Sequence, residues 1–177
     1  MSVRPASEEE ITGWWKWVCS APDVPKKPAK KGSSVFLPPI FLDESGTTPS
    51  IELPPKTPIF IPVYNVVTTR ELLEPPDKDP ANDAREDIDS GKEKSSLSLK
   101  IDGQDIPIDD SCRPKDPLQF RLEVAKPFRK FKRGTDNEAY ADGYHVVYPG
   151  FPPGPTPHKI EVRGPISVTW KVTTTTA

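Results

Sequence analysis

The sequence predicts a mainly β fold: an antiparallel, jelly-roll-like β-sandwich of about eight strands, with one N-terminal amphipathic helix and a short second helix at an edge. Three observations lead there. Proline supplies 24 of the 177 residues, well above ordinary usage, and it works against long helices and central strands. From residue 97 onward apolar side chains recur at every second position, first as Leu97, Leu99 and Ile101, then as Leu118, Phe120, Leu122 and Val124. That is the period of a half-buried strand. Strand-like runs separated by Gly/Pro turns then follow one another at roughly 8 to 20 residues, the rhythm of a two-sheet domain.

The N-terminal helix is announced by Ser7-Glu8-Glu9-Glu10, a capping box in which Ser7 and Glu10 satisfy each other's backbone amides. Beyond it Ile11, Trp14, Trp15 and Val18 form one apolar stripe at helical spacing, and Trp17 points off it. Trp14 and Trp15 therefore read as core anchors, and Trp17 as the spare. Residues 21–32 carry Pro22, Pro25 and Pro28 among four lysines, which suits an extended arm at a sheet edge or one reaching onto a second copy. Residues 33–42 form an edge strand or a broken one around Pro38-Pro39. A short strand is expected at 51–53, and residues 59–67 (IFIPVYNVV) are the strongest strand of the first half, buried on both faces. Residues 81–90 are the second helix, ended by Gly91. Asp102-Gly103 makes a hairpin turn, and strands at 140–148, 159–162 and 166–172 complete the domain, with Trp170 in its core. The expected organisation is thus a helix and arm over 1–32, a β domain over 33–173 and a frayed tail over 174–177.

Composition narrows the function. A net charge of -2 argues against a nucleic-acid partner. The most apolar stretch is far shorter than the ~20 residues a membrane helix needs, so no membrane insertion is expected. The start of the chain is polar rather than a secretory leader, which leaves an intracellular protein or the mature form of an exported one. Cys19 and Cys112 are either bridged or two buried free thiols.

Trp14-Trp15-Lys16-Trp17, then Ile61-Pro62-Val63-Tyr64-Asn65, the LSLKIDG run at 97–103, and Ala141-Asp142-Gly143-Tyr144 with a later Pro/Gly turn and His158 occur in a suggestive order. The chain resembles a family of mostly exported bacterial and archaeal β-sandwich proteins marked by a W-W-x-W helix, a proline-containing P-V-x-N strand and an A-D-G-Y strand. The chain departs from that pattern in lacking cysteines over 21–65. The resemblance implies a fold; it carries no catalytic residue across.

Nor do the residues themselves assemble a catalytic set. The only histidines, His145 and His158, lie in a strand and beside a turn, away from any nucleophile motif. Asp83, Glu86, Asp87 and Asp89, or Asp102, Asp105, Asp109 and Asp110, offer oxygen ligands but not the spacing of a calcium loop, and read as solvated acidic surface. No cofactor or metal is expected. Lys126, Arg129, Lys130, Lys132 and Arg133 around Phe128 and Phe131 form a basic patch best read as a charge-guarded edge strand. Trp17, Tyr140, Tyr144 and Tyr148 are the ligand candidates, since Tyr144 and Tyr148 share a strand face on which a sugar could stack. The function expected is a non-enzymatic structural or interaction protein, acting through its surface or by self-assembly. The alternatives are a carbohydrate-binding module and a hydrolase whose site is assembled from distant residues.

Overall fold

The computed structural model describes residues 3–40, 46–73, 76–94, 96–124 and 134–175. The capping box forms as expected. Ser7 Oγ accepts from the Glu10 amide at 3.2 Å, and the Glu10 carboxylate accepts from the Ser7 amide at 2.9 Å, starting α1 (Glu8–Ser20). Arg4 grips the same carboxylate through both Nη atoms at 2.8 and 2.7 Å, and the Ser34 hydroxyl donates to it at 2.9 Å. Burial alone would raise the Glu10 carboxyl, but these partners outweigh it and hold it down at about 2. The helix thereby starts at a fixed point on the sheet, with Ile11, Trp14, Trp15 and Val18 facing inward.

The chain is mainly β, with two sheets and two α-helices among the described residues. The first sheet runs β1 (Arg4–Pro5), β9 (Gly134–Tyr148), β5 (Ile59–Thr69), β3 (Ser34–Phe36), β2 (Ala29–Lys31), with β8 (Leu118–Val124) beside the early half of β9. The second runs β4 (Ser50–Leu53), β11 (Val168–Thr174), β10 (His158–Arg163), β6 (Ser98–Ile101), β7 (Gln104–Ile106). Ile61, Tyr144 and Val146 of the first sheet share one core with Leu99, Ile160 and Trp170 of the second. A separate core forms on the opposite face of the first sheet, where α1 lays Trp14 and Trp15 over Phe60, Phe120 and Val147.

Local chemistry explains the register. Asp102 (φ 51°) and Gly103 (φ 79°) both take left-handed backbone, the two-residue turn that places Ile101 opposite Gln104. In the β5–β9 ladder the pairing shifts between Pro62 and Tyr64. Val63 is the extra residue of a β-bulge, which is also where a strand tolerates proline. Two glycines are needed beside it. Gly143 has φ +136°, and a side chain there would meet the Tyr64 carbonyl at 2.3 Å; one at Gly91 would meet the Tyr64 hydroxyl at 2.2 Å.

Several expectations need correction. The described residues hold eleven strands rather than about eight, and two pairs, β3–β5 and β4–β11, are parallel. The second helix, α2 (Pro80–Lys94), is neither short nor stopped at Gly91. It continues because Gly91 lets Tyr64 pass close to its backbone, and it packs across β5 and β9 with Ile88 in the inter-sheet core. Of the two settings expected for the arm, the sheet edge is the one found: part of it is strand β2, paired with β3 of its own chain. The tail is anchored further than expected, since the buried Thr174 hydroxyl lies 3.0 Å from both the Pro152 and Gly154 carbonyls.

Trp14 and Trp15 are 2% and 5% exposed, and Trp14 also donates its indole N–H to the Leu37 carbonyl at 2.8 Å. Trp14→Ala should therefore cost on the order of 3 to 5 kcal/mol in a denaturant titration. Trp17→Ala, at a half-buried ring against Phe36, should cost clearly less.

Candidate functional site

Two features stand out: a buried charge cluster under α2, and an apolar cavity between α1 and the two sheets. Asp142 follows the bulge-shifted register onto the inner face of the first sheet, where it is 0% exposed. Its carboxylate is fully occupied. Arg113 holds it with Nε at 3.0 Å and Nη2 at 2.6 Å, Arg85 Nε adds 3.0 Å, and the Gly143 amide donates at 2.7 Å. Arg113 also pairs with Asp89 at 2.5 Å, so two arginines and two carboxylates balance. Burial works against the charged Arg113, yet its bonds to Asp142 and Asp89 raise its affinity for the proton overall. Next to this group Lys92 donates to the Tyr144 hydroxyl at 2.8 Å and to Asp110 at 3.0 Å, and Tyr144 donates to Asp110 at 3.0 Å. The cluster ties α2 and the loop before β8 to β9. Every carboxylate oxygen of Asp142 is spoken for, so the arrangement holds structure together and offers no open base.

The cavity arises because a strand is missing from a lane. β3 pairs with β5 only at Ile59 and Phe60, and the chain breaks at Pro38-Pro39, where neither residue can donate to a ladder. Tyr64, Asn65 and Val66 are consequently half-buried in the middle of an otherwise buried strand. A cavity of about 190 Å³ opens there, with Trp14 and Trp15 of α1 and Val168 and Trp170 of β11 among its walls. The indole N–H groups of Trp15 and Trp170 are buried and have no hydrogen-bond partner among the described residues.

The ligand candidates read from sequence do not come together. Tyr144 and Tyr148 do share a strand face, but it is the buried one, and at 1% exposure each neither ring can stack on a sugar. Tyr140 is half-buried and donates to Glu138 at 2.7 Å. Trp17 alone reaches a recess, beside Phe36, Lys16 and Lys31. The basic patch at Lys126, Arg129, Lys130, Lys132 and Arg133 lies outside the described residues. Cys19 and Cys112 are free and buried in different cores, with burial pushing the Cys19 thiol up to about 12.

The histidines are also far apart in environment. His158 stacks on Phe151 and meets Asp102 at 2.8 Å. His145 is fully buried, burial pushes it down to about 3, and the nearby Gly143 carbonyl at 3.1 Å makes Nδ1 the protonated nitrogen. Of the acidic sets, Asp83 pairs with Lys78, Asp89 with Arg113 and Asp110 with Lys92, and no group of three or more potential metal ligands gathers among the described residues. The cluster around Asp142 was missed in sequence. The available signal was its parity with Tyr144 and Tyr148 in one strand, which puts an acid on a buried face.

No family model matches the chain, and no curated protein matches it. A chain from the structure of PbICP-C in complex with falcipain-2 is similar to it at a TM-score of 0.29 and 14% identity, covering 82% of this chain and 100% of that one. A superposition that loose bears on neither fold nor function. Among the described residues no helix is long and apolar enough to cross a membrane.

Removing Asp142 takes the buried carboxylate from between Arg113, which keeps Asp89, and the partly exposed Arg85. Asp142→Ala should therefore lose about 3 kcal/mol of stability by chemical denaturation, the lower end of the cost of breaking a buried pair. His145 gives a pH test. Its proton affinity falls from 6.5 to about 3 on folding, so the unfolded chain takes up the proton first. The associated stability is complete above pH 6.5 and is lost as pH falls toward 3, with a slope of at most about 1.4 kcal/mol per pH unit. In His145→Gln the dependence between about pH 6.5 and 5, above most carboxylate titrations, should flatten.

Proposed function

We propose that this is a non-enzymatic interaction protein acting through its surface, by adding a strand to a sheet edge or by self-association, with its two sheets stacked as a jelly-roll-like sandwich. One observation carries the reading. β8 runs for seven residues at the border of the first sheet and, among the described residues, pairs only with β9. Leu118, Phe120, Leu122 and Val124 are buried, while Gln119, Arg121 and Glu123 point to solvent. The backbone of its open side is thus held extended, with a ladder's donors and acceptors already spaced for another strand. The other edges are shorter: β1 has two residues and ends in Pro5, β2 has three and carries Lys30 and Lys31, β4 has four and β7 has three. A hydrolase finds less support, with His145 shut in the core and the Asp142 carboxylate saturated by arginines.

Carbohydrate binding is a second reading, moved from the tyrosines to Trp17. Its half-buried ring lines an open groove of about 680 Å³ together with Glu9, Lys16, Lys31 and Ser33, an aromatic face ringed by donors and acceptors.

In an antiparallel pair of β8 strands related by a twofold axis, the central Arg121 faces its own copy at a separation a disulfide can bridge. Mild oxidation of Arg121→Cys should give covalent dimer, and Lys171→Cys on the inner strand β11 should not. Light scattering that finds only monomer at every accessible concentration would remove self-association and leave strand addition to a different partner. For the second reading, a glycan array should show binding that Trp17→Ala abolishes.

A further inference from the structure

We infer that the cavity between α1 and the two sheets binds a compact, neutral, mostly apolar small molecule that carries an oxygen acceptor, of the ketone or ester class. This is independent of the β8 edge, which lies elsewhere on the first sheet. Size comes first. A cavity of about 150 Å³ suffices to hold benzene, so the 190 Å³ here matches a single ring with a small substituent and is too small for a run of peptide. The walls are indole, valine, isoleucine and proline, and no charged side chain is among the described lining residues. An ionised ligand would therefore lose its hydration without gaining a counter-charge.

The polar groups then decide the ligand's chemistry. Trp14 has already given its N–H to the Leu37 carbonyl, whereas Trp15 and Trp170, which also line the cavity, keep buried N–H groups without a protein partner. An indole nitrogen is a donor only, and leaving such a donor buried and unmatched is costly. A water molecule would accept from it but would bring two O–H groups that need acceptors of their own. A carbonyl oxygen accepts through two lone pairs and brings no hydrogen. Asn65 and Tyr64, half-buried along the open part of β5, are the polar residues of the described lining besides the tryptophans.

The test uses the full chain and three probes of similar size: acetophenone, ethylbenzene and benzoate. Binding is followed by tryptophan fluorescence and by the indole N–H resonances in ¹⁵N NMR. Acetophenone should shift the Trp15 and Trp170 indole signals and bind about tenfold more tightly than ethylbenzene, which lacks the acceptor; benzoate should bind more weakly than acetophenone. Trp170→Phe keeps an aromatic wall and removes one donor, so its preference for acetophenone over ethylbenzene should shrink toward parity. If that variant does not give a cooperative melt, Trp15→Phe makes the same comparison. Equal affinity for acetophenone and ethylbenzene in the parent would overturn the assignment of the indoles. Tighter binding of benzoate would overturn the neutral class, and no response to any probe would overturn the site.

Discussion

The single extra residue at Val63 determines which side chains of the β5–β9 ladder meet which neighbour. Up to Pro62 the odd-numbered residues of β5, Ile59 and Ile61, face the second sheet. After the bulge the even-numbered ones, Tyr64 and Val66, stand opposite Tyr144 and Asp142 on that same side. Val67 is thereby returned to the α1 side, in the core with Trp14 and Phe120. In an unbroken strand every side chain beyond Pro62 would point the other way. Tyr64 would then meet the α1 layer, and the long ladder could not carry the second sheet along one half and α2 along the other.

Asp142 shows how strict that placement is. A carboxylate with no exposure is unfavourable unless its charge is met and its lone pairs are filled. Here both conditions are satisfied by groups from three places in the chain: Arg85 on α2, Arg113 in the loop before β8, and the amide of Gly143. A helix docked out of register would leave a buried ion without its partner, so the network penalises other placements of α2. Gly91 and Gly143 serve the same end by letting Tyr64 lie against backbone on both sides.

What the sequence made legible was local. The capping box, the inward faces of Trp14 and Trp15, the Asp102-Gly103 turn, and the alternation of β8 all depend on residues within a few positions of one another. Tyr144 and Tyr148 were correctly placed on one face, but which face it was depends on the second sheet, packed from residues scattered over much of the chain. The length of α2 was hidden for a similar reason: Gly91 looks like a stop signal until Tyr64 supplies the reason for a missing side chain. Of the cavity, the tryptophans and Pro62 were recognisable as core or strand residues. The space between them was not, since it exists only because β3 leaves its lane at Pro38-Pro39 while β5 continues.

The two thiols lie on opposite sides of the same sheet, Cys19 in the core under α1 and Cys112 in the core between the sheets. Each is therefore a built-in reporter on a different layer. A reagent that alkylates cysteine reaches Cys19 when the N-terminal helix lifts away, and Cys112 when the inter-sheet layer loosens. If the two layers come apart in separate events, the labelling rates will differ and will respond differently to denaturant; if the molecule opens all at once, they will converge on one rate. Two residues that form no bond with each other thus allow the cooperativity of the whole structure to be measured without altering its sequence.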